Sequence, residues 1–220
     1  MANGKKGVGG KLASKGAGIF GKAASELFEL PVPKGKRAHF LRPVPPTHER
    51  AKKYRLPPKK KGETRPIATY QKAGKEQQDL RDAVNQARIE NKDTGGNYAA
   101  YRYIDKDGNE GILVARSGQE NEDTGGYKQY VYHSEQQGGS FLLDQMKEGN
   151  VVRVTEVYTE RSPCNVRSQQ CGAWLYEYFQ KHDSNFKVTY DELYDTAENK
   201  AKANAAIKAK AIDLLKKGSI

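Results

Sequence analysis

The chain has 220 residues, of which 36% are hydrophobic and 30% are charged, and its formal net charge is +11 at pH 7. Such a polar composition argues against a uniformly packed globule and favours one folded part joined to one solvated part. No run of about 18 or more apolar residues occurs, so we expect no membrane span, and two cysteines are too few for a disulfide scaffold.

The positive charge is confined to the first part of the chain. Residues 1–92 carry 22 Lys+Arg and 8 Asp+Glu, a net charge of +14, whereas the remaining residues have a net charge of −3. A basic arm of this kind can bind nucleic acid phosphates or an anionic membrane surface, and it can equally be a solvated linker. The charge therefore gives no reason to assign nucleic acid binding to the rest of the chain.

Residues 1–70 are predicted to form a basic, mostly disordered arm. The first 35 residues are rich in Gly, Lys and Ala, and from Pro31 to Pro66 prolines alternate with basic clusters such as RLPPKKKGETRP. This composition favours extended chain over a packed core. Residues 71–95 are predicted to be a linker helix, because Leu80, Val84 and Ala87 recur on one helical stripe.

Residues 96–220 have the pattern of a folded domain. NYAAYRYI and GILVARS flank an Asp-Gly pair and predict a hairpin, and the alternating YKQYVYH predicts a short strand. SEQQGGSFLLDQMKEG predicts a helix, although its Gly-Gly pair weakens that prediction. A strand (VVRVTEVY), a helix over residues 168–182, a strand (NFKVTY) and a closing helix follow. This order predicts an α/β three-layer sandwich, with a mixed sheet of four to five strands and helices on both faces.

Two short motifs in this domain offer metal ligands. His133 and Glu135 lie at the start of one predicted helix, and Cys164 and Cys171 lie near the start of the next. One His and two Cys suit tetrahedral zinc and leave the fourth position open for water, as in catalytic sites. Glu135 is not needed as a ligand, and its place beside the metal fits a proton carrier.

The spacing of these residues sets conditions on the local structure. Residues seven apart in one continuous helix lie about 10.5 Å apart along its axis, too far for two sulfurs to bind one zinc at about 2.3 Å. Residues 165–167 must therefore be loop, with a helix beginning near Ser168 and Cys171 in its first turn, where free N–H groups favour a thiolate. By the same reasoning His133 must sit at the mouth of its helix, with Glu135 in the first turn.

Other interpretations of the same residues remain open at this point. The two cysteines can form a disulfide in a redox protein, and a lone histidine is usually an ordinary strand-end residue. A nucleic acid-binding protein with a structural zinc would need a fourth protein ligand, and His39, His48 and His182 do not have ligand spacing to the cysteines.

The sequence HSE, followed by TERSPC and a second cysteine, resembles the zinc-dependent nucleobase deaminase superfamily, whose signature is HxE with PCxxC. It looks most like the deaminase domains at the C-termini of bacterial polymorphic toxins, over about residues 96–220. The resemblance implies a cytidine-deaminase-like fold, Zn²⁺ bound by His133, Cys164 and Cys171, and Glu135 as acid/base. It also implies hydrolytic deamination, most often of cytosine to uracil. The sequence departs from the signature in having six residues between the cysteines.

The resemblance implies a nucleobase substrate in a nucleic acid, with single-stranded DNA favoured, or in a free nucleotide. Tyr132 and Trp174 are candidates to contact the base, Asn97 to bond a sugar hydroxyl, and Arg161 and Arg167 to meet phosphates. Each has an ordinary structural alternative: packing for the aromatic residues, a cap for the asparagine and counter-charge for the arginines.

The biological setting also comes from the resemblance alone. It implies an antibacterial toxin made in a bacterial cytoplasm, exported by a specialised secretion system and active in the cytoplasm of a target cell. It further implies a cognate immunity protein that protects the producer.

Overall fold

The computed structural model describes residues 17–118, 132–165 and 170–218. The helices are α1 (Ala17–Phe20), α2 (Glu49–Lys53), α3 (Gln78–Asn91), α4 (Ser134–Lys147), α5 (Cys171–Leu175) and α6 (Ala197–Lys217). The strands are β1 (Leu27–Glu29), β2 (Ala38–Leu41), β3 (Gln71–Lys72), β4 (Tyr98–Asp105), β5 (Glu110–Arg116), β6 (Val151–Arg161) and β7 (Lys187–Glu192). Short 3-10 turns precede β1 and α3, and a π-helical turn (Tyr176–Gln180) continues α5.

The described strands form one mixed sheet in the order β1-β2-β5-β4-β6-β7-β3. At its centre β4 runs antiparallel to both β5 and β6. The strand β7 is parallel to β6, and β3 is parallel to β7. On the other side β2 is parallel to β5 and antiparallel to β1. The predicted α/β class and mixed sheet are confirmed, but the predicted number of four to five strands is too small, because seven strands pair within the described residues.

The additional strands come from residues 27–72, most of which were assigned to the arm. All four residues of β2, AHFL, are buried, and β1 and β3 are only three and two residues long. The composition of this region did not indicate strands, because strands of two to four residues contain no long apolar run. Their hydrogen-bond partners are supplied by the edges of the sheet. From residue 17 onward the arm thus contributes to the fold, and residues 1–16 lie outside the described part.

Helices cover both faces of the sheet, which confirms the three-layer sandwich. Side chains alternate along a strand, so Tyr101 and Tyr103 of β4 face α4 and α5, whereas Tyr98 and Ala100 face α3. The stripe predicted for the linker helix is present, since Leu80, Val84 and Ala87 are fully buried. Helix α3 therefore packs as part of the sandwich.

Two glycines let α4 approach the sheet. A Cβ on Gly138 would lie 2.9 Å from ring atoms of Tyr101, and one on Gly139 would lie 2.7 Å from ring atoms of Trp174. No side chain fits at such distances without movement of these large buried rings. The glycine pair that weakened the helix prediction is thus what seats α4, and with it the HSE motif, against β4 and α5.

Two sequence predictions fall partly outside the described residues. The strand predicted for YKQYVYH lies mostly within 119–131, and the proposed helix start near Ser168 lies within 166–169. Within the described ranges, none of the helices is both long enough and apolar enough to cross a bilayer.

Candidate metal centre

The HSE motif lies where α4 begins. His133 is the extended residue that caps the helix, with φ −73° and ψ 153°, and Glu135 is in the first turn. This is the arrangement that the spacing required, because it lets the imidazole and the carboxyl converge instead of pointing apart.

The two cysteines are brought together by a return of the chain after β6. Cys164 follows the end of β6 at Arg161, and Cys171 is the first residue of α5. The backbone N–H of Gly172 donates to the carbonyl of Cys164 at 3.0 Å, which closes the segment between the two sulfurs. Six intervening residues therefore do not separate the thiols, and Cys171 occupies the predicted first turn.

The three candidate ligands form a compact cluster. His133 Nδ1 lies 3.2 Å from Cys171 Sγ and 3.5 Å from Cys164 Sγ, and all three ligand atoms lie within 4.8 Å of one another. In a zinc tetrahedron with Zn–S near 2.3 Å and Zn–N near 2.1 Å, an N···S edge is about 3.6 Å. Both cysteines are free thiols, so the donor set fits zinc and the structure contains no disulfide between them.

Electrostatics favours a cation at this cluster. The hydrogen bond from Cys171, helped by His133, lowers the pKa of the Cys164 thiol to about 4, while burial raises the pKa of Cys171. Burial works to lower the pKa of His133, but its bond to Cys164 and the nearby negative charges raise it overall. The half-buried Cys164 thus favours the thiolate and the buried Cys171 the neutral thiol, and a bound divalent ion would favour the thiolate form of both.

Glu135 lies beside this cluster as a buried carboxyl, with 3% of its surface exposed. Burial raises its pKa above the ordinary value. Ser134 Oγ and Thr159 Oγ1 donate to its two oxygens at 3.0 and 3.3 Å, and Tyr101 Oη donates to its backbone carbonyl at 2.5 Å. The carboxyl is close to the thiols without being one of the three clustered ligands.

Asn97, the candidate sugar-binding residue, lies at the site, but its side chain forms hydrogen bonds with other residues of the protein. Asn97 Nδ2 donates to Ser134 Oγ at 2.8 Å and to Thr159 Oγ1 at 2.9 Å, and its Oδ1 accepts from the backbone N–H of Arg161 at 3.1 Å. This geometry gives no support to a sugar contact. The hydroxyls of Ser134 and Thr159 had not been singled out in the sequence, since strand-end and helix-start hydroxyls carry no distinctive signal.

The two aromatic candidates are packed in the interior. Trp174 is 1% exposed, and its indole N–H donates to the carbonyl of Tyr54 at 2.6 Å. Tyr132 is 4% exposed, and its hydroxyl donates to Ser140 Oγ at 2.9 Å. Neither ring presents a face to a base in this structure, so the packing alternative is the role that the geometry supports.

Of the two arginine candidates, Arg161 lies at the site and Arg167 lies outside the described residues. Arg161 donates to the carbonyl of Gly96 at 2.9 Å and to Asn204 Oδ1 at 3.1 Å. Its guanidinium lies 5.4 Å from the ring centre of Tyr194, and Lys200 Nζ lies 5.5 Å from the same ring. Burial lowers the pKa of Arg161, and the nearby Glu160 carboxylate opposes this effect without a direct ion pair in the described ranges.

Comparison with known proteins agrees with this geometry. Residues 94–212, from the loop before β4 into α6, match the protein family described as Xanthomonas-like deaminase. The chain belongs to this family. The deaminase superfamily indicated by the HSE and PC…C motifs is thereby confirmed, and deamination is the class of reaction that the family supports. Searches among curated proteins and among solved structures give no match.

Proposed function

We propose that this deaminase hydrolyses the exocyclic amino group of a nucleobase at a zinc ion held by His133, Cys164 and Cys171. The cluster itself supports the proposal: one imidazole nitrogen lies 3.2 and 3.5 Å from two free thiols, with a buried carboxyl beside it. When bound, zinc supplies Lewis-acid activation of a water molecule. Within the described residues, the clustered groups that would hold the ion are His133, Cys164 and Cys171, and a three-ligand protein set is typical of catalytic zinc.

Glu135 is the residue that we assign to proton transfer. Burial raises its pKa above the ordinary value, which is the direction that favours a carboxyl as a general acid–base catalyst. In the reaction Glu135 would accept one proton from the attacking water and deliver it to a ring nitrogen, and it would then accept the second proton from the added hydroxyl and deliver it to the departing amine. Water adds to the ring carbon, the C–N bond breaks, and ammonia leaves, so cytosine gives uracil.

The favoured substrate is cytosine in single-stranded DNA or another nucleic acid. A target base must leave any stack to reach a buried site, and single strands present it at least cost. Arg161 supports a phosphate-bearing substrate, because it reaches the site with neutral hydrogen-bond partners and lies with Lys200 around Tyr194. A phosphate next to the target base would give this guanidinium a directly bonded counter-charge. We assign Arg167 the same role on sequence grounds.

The biological role that we propose rests on the resemblance to toxin deaminases. The protein would be made in a bacterial cytoplasm, exported by a specialised secretion system, and would act as an antibacterial effector in the target-cell cytoplasm. A cognate immunity protein would neutralise it in the producer.

The test uses the zinc-loaded full chain with cytidine, single-stranded DNA, duplex DNA and RNA in parallel, with uracil and ammonia as readouts. Glu135→Gln should retain zinc by mass spectrometry yet lose about 10²- to 10⁴-fold in kcat. Glu148→Gln, at the exposed end of the same helix, is the matched control and should stay active. Cys164→Ser should lose the metal.

Two outcomes would contradict the proposal. A fully active Glu135→Gln variant would remove the assigned proton carrier. A protein that retains zinc and binds nucleic acid but deaminates none of the four substrates would favour the structural-zinc interpretation instead.

A further inference from the structure

The carboxyl of Glu135 accepts hydrogen bonds from the hydroxyls of Ser134 and Thr159, and both hydroxyls accept hydrogen bonds from Asn97. Asn97 precedes β4, Ser134 begins α4, and Thr159 lies near the end of β6. Ser134 and Thr159 are fully buried. The two hydroxyls and the amide therefore come from three parts of the chain and meet beside one buried carboxyl.

The direction of these hydrogen bonds is fixed at Asn97. A backbone N–H can only donate, so the Asn97 atom that lies 3.1 Å from the N–H of Arg161 must be Oδ1. Nδ2 is therefore the atom that lies 2.8 Å from Ser134 Oγ and 2.9 Å from Thr159 Oγ1. An amide nitrogen has two N–H donors, one for each hydroxyl.

The hydrogen bonds from Asn97 also determine where the two hydroxyl protons point. A hydroxyl has one proton and two acceptor lone pairs, and here each oxygen accepts from Asn97. Its own proton then points to Glu135, with Ser134 Oγ 3.0 Å from Oε2 and Thr159 Oγ1 3.3 Å from Oε1. Each carboxyl oxygen thus receives one hydroxyl donor, and both donors are oriented by one amide.

We propose that Asn97, Ser134 and Thr159 are positioning residues that hold the plane of the Glu135 carboxyl for proton transfer. The inference rests on the proposed function, since it assumes that Glu135 carries the proton. Two oriented donors fix the rotation of the carboxyl and leave further lone pairs on both oxygens for the reaction. Holding a catalytic group in its productive orientation is what the surrounding shell of an active site contributes. Asn97 then acts on Glu135 through the hydroxyls rather than on a sugar.

Substitutions in the full zinc-loaded chain test the role in catalysis. Thr159→Val keeps the side-chain shape but removes one donor, and kcat should fall about 10- to 100-fold while KM and zinc content stay near wild type. Thr159→Ser should restore kcat. Asn97→Asp should be at least as severe, because its new oxygen would draw the hydroxyl protons away from Glu135.

The matched control is Thr189→Val, which makes the same substitution at a fully buried position of β7. The Thr189 hydroxyl contacts the carbonyl of Val157 at 3.5 Å and should tolerate the change with little loss of kcat. If Thr159→Val lowers kcat no more than this control, the positioning role is wrong. Ser134→Ala tests the second donor independently should Thr159→Val fail to fold.

A second measurement does not depend on activity. The metal-free protein is labelled with ¹³C at the glutamate carboxyl carbons, and the Glu135 signal is identified by its loss in Glu135→Gln. That signal should move in Thr159→Val and Ser134→Ala but not in Thr189→Val. An unmoved signal would refute the hydrogen-bond arrangement, whether or not the chain deaminates anything. A wild-type protein without deaminase activity would instead refute the proposed function.

Discussion

Removing one partner of the buried ion pair between α3 and β6 should strongly destabilise the protein. Arg88 and Glu160 have side chains that are 0% and 2% exposed, and two parallel bonds join them, Nε to Oε1 at 2.9 Å and Nη2 to Oε2 at 2.7 Å. Glu160 Oε2 also accepts from the backbone N–H of Tyr98 at 3.0 Å, and Arg88 Nη1 donates to the carbonyl of Gly95 at 2.9 Å. The pair therefore ties α3 to the segment that carries Asn97.

Replacing Arg88 with Ala leaves the Glu160 carboxylate buried without its partner. Breaking such a pair costs about 3–5 kcal/mol, a large part of the roughly 5–15 kcal/mol that stabilises a typical domain. For a chain of this size, that loss lowers the melting temperature by about 6–20 °C. Urea unfolding followed by circular dichroism, with and without the substitution, gives the difference in the free energy of unfolding.

The control is Arg153→Ala, which breaks an ion pair with Asp183 at the surface. The Arg153 side chain is 51% exposed, so its loss should cost less than about 1 kcal/mol. A double variant with Met at 88 and Leu at 160 should be more stable than Arg88→Ala, because no charge is left buried. The reasoning fails if Arg88→Ala costs no more than Arg153→Ala, or if the double variant is the least stable of the three.

Further predictions concern packing and pH. Gly139→Ala should destabilise the protein by about 1–3 kcal/mol in urea unfolding, because its Cβ would meet the Trp174 ring; an unchanged midpoint would contradict this close packing. Tyr103→Phe should raise the melting temperature, since the buried hydroxyl has no partner in the described part of the chain and removing it recovers about 1 kcal/mol; a lower value would reveal an undetected bond. Burial lowers the pKa of His39, so the unfolded chain binds a proton that the folded chain resists, and stability present above about pH 6.5 is lost on acidification. In unfolding curves at about pH 7.5 and 5.5, His39→Phe should lose less of its free energy of unfolding on acidification than the wild type does. An equal loss in the two proteins would show that His39 is not the group responsible.

The candidate metal centre was predictable because a shared ion sets conditions on the local structure of each ligand motif. A zinc ion needs ligands within a few ångströms, and this requirement placed His133 before its helix, Glu135 in the first turn and Cys171 at the next helix start. The central hairpin was likewise predictable from its Asp-Gly turn and the apolar runs around it. The hairpin depends on neighbouring residues, whereas the ligand set joins two short motifs 31 and 38 residues apart, whose residue types indicated a common ion before any contact was known.

What the sequence could not show depends on distant contacts. Strand β2 is only four residues long and is recognisable as a strand only once β5 is there to pair with it. Asn97 was interpretable as a cap or a sugar contact, because the partners that decide its role, Ser134 and Thr159, are 37 and 62 residues away. Trp174 was a candidate to contact substrate because the sequence does not show that its ring packs against Gly139 of α4 and that its indole N–H donates to the carbonyl of Tyr54.

The strand order has a consequence for biosynthesis. The segments translated first, β1 to β3, occupy the two outer borders of the sheet, and they pair with β5 and β7, which leave the ribosome much later. Pairing between such remote segments is slow. We therefore expect a nascent chain to bring its imidazole and thiols together only after β7 has left the ribosome, so that shorter nascent chains lack the assembled cluster.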